Sequence, residues 1–297
     1  MTLTEERVEP STAGTPAPEP TPPATPRTGP PAGALVALSL GLAAALVLGF
    51  FAYLLAFSGV VEGRAQHAML QSFARQLRDG IAPVGPVPAG TPVALLDIPA
   101  MHLTRVVVVE GSSSRDLMNG PGHLPATVLP GQAGVSTILG KGTTFGAPFR
   151  RLLTLQPGDR ITATTGQGVS TYVVSSFGDS DRPPPANSAN RLLLVTGSGG
   201  SAPGRVVIVS ADLVSPVQIA DTPAAARAVD RPRARDTDDS LVPLAGWSQL
   251  LLLVAIVGTY LFHRAPRWPV LLCLGPVVLA VVWNVYENAA GLLPNVV

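Results

Sequence analysis

The chain is short of charge, has a single lysine and a single cysteine. Only 13% of its 297 residues are charged, against 46% hydrophobic, and the mean hydropathy is +0.36. Soluble domains carry about a quarter charged residues, so part of this chain is suited to an apolar environment. One cysteine, Cys273, excludes an intrachain disulfide and any cysteine-based metal site. It sits in Leu272-Cys273-Leu274, a packing position with none of the electropositive surroundings of a reactive thiol. The net charge is +1, and no basic face of the kind that binds nucleic acid is present. Lys141 is the sole lysine.

What is present divides the chain into blocks of different texture. Residues 1–33 are rich in Pro, Thr, Ala and Glu without apolar periodicity, a composition expected to stay disordered. Residues 34–57 contain no charge and are long enough to cross a bilayer core of about 30 Å as a helix. The length of this run and the absence of a preceding basic cluster favour an uncleaved anchor over a signal peptide. Residues 58–92 begin with Met69, Leu70, Phe73 and Leu77 at helical spacing. They end in a stretch with Pro83, Pro86, Pro88 and Pro92, which disrupts helix and ladder bonding alike. An amphipathic helix followed by a stiff spacer is expected there.

Residues 93–214 change to short β-branched runs separated by Gly, Pro, Asp and Ser, the pattern of a barrel or sandwich. Seven strands are expected, over 93–98, 104–109, 135–139, 160–165, 170–176, 192–196 and 205–210. Short helices fit 112–118 and 148–155 between them. Residues 215–240 form a polar linker. Residues 241–262 and 268–285 are two further runs of spanning length, joined by His263-Arg264-Ala265-Pro266-Arg267. A short basic loop between two spans belongs in the cytoplasm, which puts the barrel and the carboxyl end outside and the amino terminus inside.

Within the β-rich block, a series of short motifs occurs in a telling order. It runs from Leu96-Asp97-Ile98-Pro99 through Gly120-Pro121-Gly122-His123 and Pro130-Gly131-Gln132-Ala133-Gly134. Leu139-Gly140-Lys141-Gly142-Thr143-Thr144, Phe145-Gly146-Ala147-Pro148-Phe149 and Leu155-Gln156-Pro157-Gly158-Asp159 follow. The series closes with Val195-Thr196-Gly197 and Arg205-Val206-Val207-Ile208. In order and spacing it resembles the sortases of classes D and E, the envelope cysteine transpeptidases. The resemblance covers residues 95–213. It implies a mainly β fold, a sortase-like β-barrel with short helices, flanked here by one N-terminal and two C-terminal transmembrane helices.

The same resemblance locates the catalytic positions. The family's histidine falls on Lys141, its cysteine on Gly197 and its arginine on Arg205. Only the arginine is retained. Covalent acyl transfer needs a nucleophile, glycine has no side chain, and loss of a nucleophile in a comparable enzyme costs on the order of 10⁶ in rate. The expectation is therefore a pseudo-sortase, a binding or scaffolding module at the outer face of the plasma membrane. Its partners would be the membrane and an envelope protein, a sorting-signal peptide or an active sortase. Neither a cofactor nor a metal is implied, and Asp179, Asp181 and Asn187 lack calcium-ligand spacing. The alternative is a hydrolase or transpeptidase with substituted chemistry, in which Ser198 pairs with Lys141. Thr196 and His123 complete the candidate groove residues, His123 being a candidate base or a turn histidine with a local hydrogen bond.

Overall fold

The computed structural model describes residues 32–197, 206–219, 241–264 and 266–292. The amino-terminal tail, most of the 215–240 linker, Ser198 and Arg205 therefore lie outside the described residues. The chain divides into two compact units between Leu46 and Val47. The described part of the first is helical throughout, and the second holds everything that follows.

The first helix, α1 (Ala32–Ala52), passes through a π-helical turn at Tyr53–Phe57 straight into α2 (Ser58–Asp79). The boundary expected at residue 57 is thus not an interruption of the helix. No proline or cap residue breaks the chain there, and hydrogen bonding simply changes register for one turn. The stop comes at Gly80, whose φ of 70° closes α2 with a left-handed cap whose N–H donates to the Gln76 and Leu77 carbonyls.

Eight strands form a closed barrel in the order β1-β2-β3-β4-β7-β8-β6-β5. They are β1 (Pro92–Ile98), β2 (Leu103–Glu110), β3 (Gly122–His123), β4 (Val135–Leu139), β5 (Arg160–Thr165), β6 (Gly168–Asp179), β7 (Arg191–Gly197) and β8 (Val206–Leu213). One more strand is present than the seven expected. β3 is two residues long, too short to show periodicity, and exists because it bridges β2 in parallel and β4 in antiparallel register. β6 is also longer than expected, because it pairs with both β5 and β8 around a bulge near Ser175. Of the two expected short helices, α3 spans Ser114–Leu117 and only a 3-10 turn forms at Leu152–Thr154.

Side chains alternate between two apolar clusters on β7. Leu192 and Leu194 point into the barrel with Leu96, Ile98, Ile138, Phe149 and Val209. Leu193 and Val195 point outward, where Leu117 of α3 and Leu124 cover them. A third cluster seats α2 on the barrel wall: Phe73, fully buried, packs on Leu95 and Val107, with Met69, Leu70 and Leu77 around it. The apolar stripe on the helix thus meets strands β1 and β2. Gln66 fixes its height by donating to the Val107 and Asn119 carbonyls at 2.9 and 2.8 Å and accepting from Val107 N at 2.8 Å.

Beyond the barrel, α4 (Val242–Arg264) and α5 (Arg267–Ala290) pack on each other. α5 runs five residues past the expected end at 285, and Asn284 and Asn288 there donate their side-chain amides to the Ala280 and Asn284 carbonyls one turn back. Among the described residues, three helical stretches are long and apolar enough to cross a membrane: Leu40–Asp79, Val242–Phe262 and Trp268–Ala290.

Candidate functional site

Two strand ends create the candidate site. β4 and β7 run parallel, with Leu139 opposite Val195. The pairing continues past β4, since Gly140 N donates to the Val195 carbonyl at 2.9 Å and Thr196 Oγ1 donates to the Gly140 carbonyl at 2.8 Å. Lys141 and Gly197 are thereby brought side by side across some fifty-six residues of sequence. The approach is tight: a Cβ on Gly142 would lie 2.9 Å from the Gly197 carbonyl oxygen and 3.0 Å from Thr196 Oγ1. Thr196 accordingly serves as the clasp between the strand ends.

Lys141 is entirely buried. Its ammonium donates to Ser114 Oγ at 3.4 Å, a long bond, and lies 5.6 Å from the centre of the Phe145 ring. No carboxylate pairs with it among the described residues, where the single ion pair is that of His123 and Glu110. Removal from water disfavours the charged form, and burial brings the Lys141 pKa down to about 8. Cys273, the one thiol, is exposed on α5.

The loop after Lys141 is held in an unusual shape. Phe145, Gly146 and Ala147 have φ values of 49°, 69° and 46°, a left-handed run that costs non-glycine residues about 1–3 kcal/mol each and needs support from its surroundings. The support comes from α2. Phe145 N donates to Ser58 Oγ at 3.0 Å, and Ser58 in turn donates to the Leu54 carbonyl. The Glu62 carboxylate lies over Gly146 where any Cβ would collide with it. Tyr53, Leu54, Met118, Phe145 and Ala290 form one buried apolar cluster with Phe50, Trp283 and Tyr286. The loop that follows the candidate site is thus packed beneath the helical stalk and the end of α5.

His123 is elsewhere engaged. Its Nε2 faces the Val128 carbonyl at 2.9 Å and Thr127 Oγ1 at 3.2 Å, while Nδ1 faces Glu110 Oε2 at 2.8 Å. Acceptors stand on both sides of the ring, so Nε2–H donates to Val128 and one further proton is shared between Nδ1 and Glu110. Thr127 Oγ1 also receives the Thr137 amide at 3.2 Å. Both ring nitrogens are occupied, and the residue ties β2, β3 and β4 together.

Of the sequence candidates, the fold therefore joins Lys141, Thr196 and Gly197 and places His123 in a separate buried pair. Ser198 and Arg205 lie outside the described residues. Ser114 and Phe145 escaped the sequence reading as neighbours of Lys141, as did Ser58 as the support of Phe145. The serines at 112–114 signalled a helix start, and Ser113 does cap α3 by exchanging hydrogen bonds with Asp116. Nothing in that signal says which serine faces the residue just past β4. Among the described residues no group of three metal-ligating side chains occurs.

The family model described as Sortase domain matches residues 96–213. No curated protein matches the chain. Among solved structures, the sortase D5 transpeptidase of Clostridium perfringens is 24% identical, over 51% of this chain and 99% of that one, with a TM-score of 0.44. Sortase E of Streptomyces avermitilis is 29% identical over 43% of this chain and 91% of that one, with a TM-score of 0.37, and a point mutant of it is 30% identical over the same shares.

Proposed function

The chain belongs to the sortase family through its domain at residues 96–213, and from that premise we propose that it is a multi-pass envelope protein without cysteine transpeptidase activity. Its three apolar helices anchor it in the plasma membrane. The basic loop 263–267 lies in the cytoplasm and the barrel faces outward. There the barrel binds or scaffolds an envelope partner, a sorting-signal peptide or an active sortase.

One observation carries this reading. Where β4 and β7 end together, the pair available is Lys141 and Gly197, and a glycine offers no atom to hold an acyl group. The only thiol of the chain is on α5, a membrane helix in this reading. The fully buried Lys141 fits a filled scaffold better than an open catalytic groove. Incubating the purified full-length chain with a peptide carrying a sorting signal and an amine acceptor tests the proposal. Neither cleavage nor transfer is expected, with or without a thiol-blocking reagent. Turnover of the peptide by the wild-type chain overturns it.

A second reading keeps catalysis but replaces its parts. A serine and a lysine of lowered pKa can form a nucleophile and its base, and the Lys141 pKa near 8 meets half of that requirement. The hydroxyl that reaches Lys141 is Ser114, alongside the sequence candidate Ser198. Both Ser114 and Lys141 are buried, which leaves a substrate no direct approach and ranks this reading second. Labelling by a serine-reactive probe that disappears in Ser114→Ala or Ser198→Ala would promote it.

A further inference from the structure

A recess of about 200 Å³ opens where the barrel meets the end of α5, lined by Arg115, Met118, Asn284, Glu287 and Asn288. Asn284, Glu287 and Asn288 lie at i, i+3 and i+4 of α5, so they share one face of the helix. Each of the Asn284 and Asn288 side-chain amides donates to the helix, to the Ala280 and Asn284 carbonyls, both at 2.8 Å. Asn288 Oδ1 accepts from Arg115 at 3.3 Å, which leaves Asn284 Oδ1 and the Glu287 carboxylate as open acceptors. The rest of the Arg115 guanidinium is left as an open donor. Neither Arg115 nor Glu287 belongs to an ion pair among the described residues. Met118 is shared with the cluster containing Tyr53, whose buried hydroxyl has no hydrogen-bond partner.

A site with a cation and an anion not joined in an ion pair, and a spare carbonyl oxygen, matches a small ligand bearing both charges. The volume suits a headgroup-sized moiety, below the about 300–1,000 Å³ of pockets that enclose a drug-sized ligand. The position selects its source. α5 is apolar up to this face, Val277, Val278 and Leu279 below it are exposed, and Trp283 and Tyr286 lie at the same level, where aromatic side chains meet headgroups. We propose that this recess receives the headgroup of an aminophospholipid, with the phosphate on Arg115, the ammonium between Glu287 and Asn284, and the acyl chains along α5. A guanidinium suits phosphate geometry. A primary ammonium donates three hydrogen bonds, whereas the trimethylammonium of a choline lipid donates none.

The inference rests on the membrane anchoring proposed above, and the test separates the two. The full-length chain is reconstituted in vesicles of phosphatidylcholine alone or mixed with phosphatidylethanolamine, extracted gently, and its retained lipid measured by native mass spectrometry. The expected result is about tenfold enrichment of phosphatidylethanolamine over its share of the vesicle, the worth of one charge-assisted contact. Glu287→Gln keeps the helix face and is expected to abolish that preference, while Arg115→Gln lowers retention of both lipids. Failure of the chain to enter vesicles overturns the anchoring. Entry with equal retention of the two lipids overturns the headgroup site alone, and equally tight binding of soluble phosphoethanolamine in detergent overturns the lipid assignment.

Discussion

Two buried polar groups on neighbouring strands of the same barrel are treated in opposite ways. His123 on β3 and Glu110 on β2 are 2% and 6% exposed, yet both nitrogens of the histidine ring have partners, one of them the Glu110 carboxylate. Lys141, just past β4, is 0% exposed and is offered one long hydroxyl contact and an aromatic ring. The first arrangement is what a barrel needs to close around polar residues. The second is a burial cost with no structural return, since a lone cation out of water lowers stability unless it sheds its proton. The contrast separates a buried polar pair that the barrel satisfies from a buried cation that it leaves nearly alone.

The sharpest way to break the comparison is to remove one half of the paired group. Glu110→Ala leaves the His123 ring facing acceptors with no carboxylate to share its proton. A loss of about 3–5 kcal/mol in unfolding free energy is expected for a broken buried pair, measured by denaturant titration in detergent. Loss below 1 kcal/mol would mean the pair is not structural.

Lys141 should respond with the opposite sign. Its folded pKa of about 8 lies below the ordinary 10.5, so between those values the unfolded chain holds a proton that the folded chain has released. Stability therefore rises with pH across that window, while below about 8 the full burial cost, on the order of 3 kcal/mol, is present. Lys141→Met, similar in length and uncharged, is expected to stabilise the barrel at neutral pH and to flatten the pH dependence above 8. A destabilised variant with the slope intact would show that Lys141 is not the titrating group.

The smallest of these effects concerns the loop beside it. Ser58→Ala removes the acceptor for the buried Phe145 amide, at an expected cost of about 1–3 kcal/mol. It should also speed hydrogen exchange at Phe145 while exchange at His123 stays unchanged. Equal acceleration at both positions would show that the helical stalk supports the barrel as a whole and not the candidate-site loop in particular.

Much of the fold was legible because its signals are local or repetitive. The β-branched runs on β1, β2, β7 and β8 and the helical spacing of Met69, Leu70, Phe73 and Leu77 can be read from periodicity. So can the three long apolar stretches. β3 was invisible because two residues carry no period and its status comes from partners on both sides. The π-helical turn at Tyr53–Phe57 was equally hidden, since it changes hydrogen-bond register without any change in residue pattern. At the candidate site, family order singled out Lys141 and Gly197, but the contact of Lys141 with Ser114 and the grip of Ser58 on the loop connect residues far apart in the chain.

By its own order of residues the chain decided which side chains are available: one thiol, in the apolar run around Cys273, one lysine, and a glycine at position 197. Composition can settle this because a missing functional group is missing in every conformation. Closure of the barrel decided the rest, turning that amine into a fully buried group of lowered pKa while giving His123 a carboxylate to share its proton with. Such distinctions depend on which side chains are brought within a few ångströms and which are cut off from water, and only the packed molecule specifies that.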